Sequence, residues 1–326
     1  MKLIILCFIF FFLGDKNLFA QLYNYSFSDP CKLKNGLVIG GNGITKLHFN
    51  GIEKIFHTLV DVATFEPVCT SKSIYVGSTN GVFSINSQNG NLLWHFFSSQ
   101  TIYSPLVTDS FIYIAGQDEY LRKLNKRTGQ QVWKRKLQGW LFSPVIIKNT
   151  VLVGGSDGRA FAIDSISGKI KWTKNIRQQF VFQAASDYQK TFIITDYEGR
   201  IIALDENQGK ILWIYQGKSP FYTPLIDNKN IFLGNLSGQI KKFSIALGKE
   251  IWTQQLDGAI RSIPIKKNNK IYIRTDDGYL YTLNNDSGRI VDKVSIQGDL
   301  FTSGLITKKG LMIKTSNEQL TLIQLN

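Results

Sequence analysis

Residues 153–172 read Val-Gly-Gly-Ser-Asp-Gly-Arg-Ala-Phe-Ala-Ile-Asp-Ser-Ile-Ser-Gly-Lys-Ile-Lys-Trp, and two features of this stretch recur along the chain. The first is its Gly-x-x-x-Trp ending, Gly168 to Trp172, repeated at Gly90–Trp94, Gly129–Trp133, Gly209–Trp213 and Gly248–Trp252. The tryptophans stand 39, 39, 41 and 39 residues apart. Degenerate copies keep the phase at Gly51–Ile55 and Gly288–Asp292. The second feature is a turn pair ahead of the motif glycine: Asp157-Gly158 here, then Glu198-Gly199, Ser237-Gly238 and Asp277-Gly278. Such pairs close tight hairpins because glycine accepts positive φ. A period of about 40 residues marks a repeat architecture and governs the reading of every local motif.

Within one unit, residues 143–148, 150–155, 159–164 and 169–175 are four short β-rich runs separated by turn residues. Four strands per repeat make one propeller blade, and no helical periodicity of useful length appears. The pairing of second and third strands recurs eight times, the last at Leu311 to Leu322, where the chain stops without a fourth strand. The expected fold is all-β: an eight-bladed β-propeller of four-stranded antiparallel blades, closed by an N-terminal strand, Gln21 to Ser26. A seven-bladed ring is the alternative. Closure removes edges that would invite aggregation.

Residues 1–20 read as a secretory signal: Lys2, an apolar run from Leu3 to Leu13 too short to span a bilayer, and Ala20 before Gln21. The remaining 21–326 read as a single propeller domain. The net charge of the whole chain is +14, a balance that attracts acidic partners in general. The lysines are scattered as pairs such as Lys241-Lys242, Lys266-Lys267 and Lys308-Lys309, which read as solvated turns rather than a nucleic-acid face. Cys31 and Cys69 fall near the start of equivalent strands. Counted from Pro30 and Pro67 they alternate to opposite faces, so two buried free thiols are expected.

The 153–172 unit resembles the repeat of the pyrroloquinoline-quinone (PQQ-like) β-propeller family, and the resemblance covers 27–326. Within that family the chain looks most like the outer-membrane assembly propellers typified by BamB, whose last complete motif also tends to lose its tryptophan, as Gly288 to Asp292 does here. The resemblance implies a non-catalytic periplasmic scaffold, peripheral to the outer membrane. Its implied partner is a protein, a barrel-assembly component or unfolded barrel chains, met as a monomer within a complex. Cys7 lies inside the apolar run after Leu6, so no lipid anchor is expected. The linkers Gln138 to Phe142 and Arg177 to Phe182, where the family meets its partner, look short; the first offers exposed-looking Trp140 and Leu141.

Catalytic and cofactor chemistry find little footing. The quinone site of the enzymatic relatives resembles a vicinal disulfide, and no Cys-Cys pair occurs. Asp205-x-Asn207-x-Gly209 mimics part of a calcium loop without its terminal glutamate and reads as a turn. His48, His57 and His95 are dispersed, and Gly40-Gly41-Asn42-Gly43 leads into a strand, not a helix, so it reads as a hairpin turn. Neither cofactor nor metal is expected; a small-ligand or quinone-binding sensor, or a dehydrogenase-related propeller, is the alternative function. One pattern is unusual. Two residues before the first-strand proline, or at its aligned equivalent, stand Phe65, Tyr103, Phe142, Phe182, Tyr222 and Phe301, with Arg261 and Ser28 in the other repeats. They read as inter-blade packing or, if exposed, as an aromatic girdle binding an extended peptide.

Overall fold

The computed structural model describes residues 29–49, 53–176, 182–186, 190–296, 304–307, 310–314 and 320–324. The central repeat folds as its alternation dictates. Strands β12 (Val145–Ile147), β13 (Thr150–Gly154), β14 (Arg159–Asp164) and β15 (Ile170–Asn175) form one antiparallel sheet in chain order. β13 and most of β14 are buried because both faces of a blade pack on neighbours, whereas β15 keeps a polar, exposed edge. Eight such sheets follow one another, and the chain is an eight-bladed all-β propeller. Blades 2 to 7 start at Val68, Leu106, Val145, Phe182, Leu225 and Ile265.

Blade 1 hides its hairpin in one long strand assignment, β2 (Gly36–Leu47). Gly36 abuts the backbone of Leu47, although twelve extended residues would hold their ends tens of ångströms apart. The chain therefore doubles back between them, at the Gly40–Gly43 turn expected from sequence. Blade 8 shows β28 (Leu305–Ile306), β29 (Leu311–Lys314) and β30 (Leu320–Ile323). The proposed closing strand Gln21 to Ser26 and the signal segment 1–20 lie outside the described residues. Contacts divide the chain into two compact units, Met1–Ser104 with Gly304–Asn326 and Pro105–Ser303.

The Gly-x-x-x-Trp motif joins consecutive blades. Trp172 Nε1 donates to the Glu206 carbonyl oxygen of the next blade at 2.9 Å, and Trp133, Trp213 and Trp252 donate likewise to Ser165, Ile245 and Asn285. The same indole lies on the next blade's motif glycine, where a Cβ on Gly209 would stand 2.6 Å from Trp172. Gly209 also has φ +64°, in the left-handed region. Two demands, conformation and clearance, thus fall on one residue. In blade 1 the residue paired as the tryptophans are is Phe56, opposite Lys46, and not Ile55. The Phe56 ring covers Gly90 but has no N–H to donate.

The lysine pair Lys241-Lys242 corrects the reading of lysines as solvated turns. Both lie within β22 (Gln239–Ser244) and are buried. Lys242 Nζ reaches the Asn285 carbonyl at 3.0 Å, the acceptor Trp252 also uses, as Lys123 reaches Ser165 and Lys46 reaches Ser87. Their stems pass over aromatic rings, Lys123 Nζ standing 3.7 Å from the Phe111 centroid. Burial pulls all three ammonium groups below the ordinary lysine range.

The cysteines correct a second expectation: Cys31 and Cys69 form a disulfide, with Cα atoms 5.8 Å apart. Alternation places the two cysteines on opposite faces of their own strands, but the consequence is a bridge and not two free thiols. Stacked blades face each other with opposite faces of their own sheets, so cysteines on opposite faces of adjacent blades meet. They do so against Val38, Ile74 and Phe83.

Three outcomes follow. Trp172→Ala should cost about 3–5 kcal/mol, measured by urea denaturation, and a loss below about 1 kcal/mol would refute the docking. Gly209→Ala should be much less harmful in the Trp172→Ala background than alone, giving a coupled double-mutant cycle. Joint replacement of Cys31 and Cys69 by serine, closing off a loop with a sequence separation of 38, should lower stability by roughly 2–4 kcal/mol.

Candidate protein-binding site

The linkers into blades 2, 3, 4, 6 and 7 share one two-residue device. The first residue is buried: Thr64, Ile102, Leu141, Phe221 and Ile260. Ile102, Leu141 and Ile260 donate their N–H to Ser78, Gly116 and Asn235, at the end of the preceding blade's second strand. The second residue turns back to its own blade, as Phe65 does to Gly77, Phe142 to Gly154 and Tyr222 to Gly234. Because Ile260 plays the part of Ile102 and Leu141, Arg261 occupies the aromatic position, as its alignment indicated.

Leu141, expected to be exposed, is 0% exposed. It is the cross-link between blades, and an apolar residue there needs no partner to explain it. The sequence carries a signal for this position: a β-branched or large apolar residue directly precedes every girdle aromatic.

Burial divides the expected aromatic girdle. Phe65 and Tyr103 are 6% and 5% exposed and pack edge to face at 5.5 Å, so at these two positions the packing reading holds. Phe142, Tyr222 and Arg261 are only half-buried. Arg261 Nη1 donates to Tyr222 Oη at 3.1 Å, and its other terminal nitrogen stands 3.6 Å from Asp276 Oδ2. Trp140 is also half-buried, with its backbone fixed to Ser156 in both directions. The first strands behind these residues lie side by side, β12 against β16 (Phe182–Ser186) and β16 against β20 (Leu225–Asp227). Phe301 and the Phe182 side chain lie outside the described residues.

Directly after the device in blade 2, Glu66 carries the one strongly displaced carboxyl among the described residues. It touches solvent yet stands amid dense protein; desolvation, then the charge of Asp29, push it up to about 8. Asp29 itself accepts the N–H of Gly304 at 3.1 Å, tying the first blade to the last.

Other candidate chemistry resolves into packing. Asp205 Oδ1 accepts the N–H groups of Asn207 and Gln208, an Asx turn rather than a calcium loop. His57 Nδ1 meets Thr45 Oγ1, and His95 stacks on Phe83. Among the described residues no group of three or more His, Cys, Asp or Glu side chains is placed to hold a metal.

The sequence profile of the outer membrane protein assembly factor BamB matches residues 57–193, 117–230 and 197–292, consecutive overlapping windows covering most of the chain. The chain belongs to the BamB family of PQQ-like propellers. A curated BamB from Taylorella asinigenitalis (strain MCE3) is 28% identical over 103 residues, spanning 31% of this chain and 27% of that protein. The chain therefore matches only about a quarter of that relative's length. Among solved structures, BamB from Moraxella catarrhalis is similar with a TM-score of 0.70 at 16% identity, covering 90% of this chain and 92% of its own. The computationally designed Ika8 protein reaches 0.82 at 14% identity, over 92% and 97%. At such identities the likeness speaks for the fold alone.

Glu66 yields a titration test. A carboxyl whose pKa is raised on folding stabilises the fold at low pH, and that contribution is lost as pH climbs from the unfolded carboxyl value through about 8. An NMR titration should find Glu66 far above the ordinary carboxyl range. Asp29→Asn should lower it. A midpoint near that of a free glutamate would contradict the placement.

Proposed function

We propose that this protein is an exported, periplasmic, non-catalytic scaffold that holds a protein partner during assembly of outer-membrane β-barrels. The observation that carries the reading is membership of the BamB family across consecutive blades, combined with linker side chains that remain half-open in 105–303. The disulfide between Cys31 and Cys69 accords with an oxidising compartment.

Trp140, Phe142, Tyr222 and Arg261 are the residues proposed to meet the partner, with Phe182 and Phe301 as aligned companions. Rigid aromatics and arginine concentrate binding energy because they bury large surfaces at low entropic cost. Leu141 supports Phe142 from within its own linker. Arg261 is held between Tyr222 and Asp276, so its guanidinium is oriented before any partner arrives.

The test is capture of barrel-assembly components from a detergent-solubilised envelope by the tagged full chain. Joint replacement of Trp140, Phe142 and Tyr222 by serine should reduce capture roughly tenfold or more with the far-ultraviolet spectrum unchanged. Undiminished capture would refute the assignment of the site. A bound quinone absorbance in the purified protein would instead favour a ligand-binding role.

A further inference from the structure

In blades 4, 5 and 6 the turn between the third and fourth strands is hydrogen-bonded to the turn between the first and second. Ser165 donates to Asn149, Glu206 to Lys190 and Ile245 to Lys229, all at 2.9–3.0 Å. Neighbouring blades are joined at the same level, by Thr150 Oγ1 to Glu206 Oε1 at 3.0 Å and by Trp213 Nε1 to Ile245 at 2.7 Å. These turns therefore make one contiguous rim.

Charge on this rim repeats with the blades. Each first turn presents an exposed lysine, Lys148, Lys190 and Lys229, and each motif glycine is followed by another, Lys169, Lys210 and Lys249. The described rim carboxylates are occupied internally. Asp164 and Asp205 cap their own turns, Asp227 pairs with Lys266, and Glu206 is buried.

Two aliphatic side chains stand out of this basic field, Ile166 at 67% and Leu247 at 72% exposure. The turn does not require them. Sister blades place Gln88, Arg127, Asn207 and Asp286 where blade 4 has Ile166, and Asn89, Thr128, Gln208 and Ser287 where blade 6 has Leu247. A protein interface would set aromatic anchors in a recess. Isolated aliphatic tips amid lysines match an interfacial lipid contact, where phosphate groups take the ammonium charges and the tips enter the acyl boundary. We propose that the turn rim of blades 4–6 docks this protein peripherally on an anionic lipid surface.

The test is pelleting of the purified full chain with phosphatidylcholine vesicles, with and without phosphatidylglycerol, at low and high salt. Binding should require phosphatidylglycerol and fall steeply with salt. Lys169→Gln with Lys210→Gln should weaken it roughly 30-fold, and Ile166→Ser with Leu247→Ser about tenfold. All four sites are exposed, so circular dichroism should be unchanged. Equal pelleting with neutral vesicles, no pelleting with anionic ones, or full binding by either pair of variants would overturn the proposal. So would binding of soluble polyglutamate as tight as that of vesicles, with Ile166 and Leu247 dispensable.

Discussion

The contact on which the rest depends is an indole lying on a glycine of the next blade. Trp172 fills the space a side chain at Gly209 would need and places its N–H on the adjacent turn carbonyl. The contact recurs from blade 3 to blade 7, so each sheet in that run is held in register by the one before it. Stability is then a sum of nearest-neighbour terms, as in other repeat proteins. The buried lysines use the same carbonyls, which converts an expensive charge into a second tether. The linker residues Ile102, Leu141 and Ile260 add a third tether at the opposite end of the second strand.

That dependence explains which features were legible in the sequence. Blade number, strand order and the hairpin at Gly40–Gly43 follow from period and turn chemistry, which are local. Features set by the neighbour were misread. Opposite faces for Cys31 and Cys69 argued against a bridge in one sheet and for a bridge between two. Lys241-Lys242 reads as a polar turn pair, yet β22 buries both because Glu250 and Thr253 of the adjacent strand receive Lys241 and the Asn285 carbonyl of the next blade receives Lys242. The girdle was visible as a spacing, but spacing carries no burial. Only packing separates Phe65 and Tyr103 from Phe142 and Tyr222.

The same reasoning bounds the chemistry. A carboxylate such as Asp205 or Asp164, used to cap its own turn, has its lone pairs directed at backbone N–H groups and is poorly disposed to hold a cation. Histidines that stack or bond within one blade are likewise committed. What the fold leaves open is surface: half-buried linker aromatics on one side, basic turns on the other.

The first blade departs from the indole rule, since Phe56 covers Gly90 without supplying a hydrogen bond, and the seventh departs further, with Asp292 in the tryptophan position. Blades 1 and 2 are the pair that the disulfide joins. Fraying in a repeat array begins where a nearest-neighbour term is weak, and at this junction, one of the weak ones, the boundary is covalently sealed. Resistance to local opening at this junction is therefore set by the redox state of the surroundings. Reduction would remove that seal and ease opening between blades 1 and 2, exposing the apolar faces around Val38 and Ile74 to proteolysis.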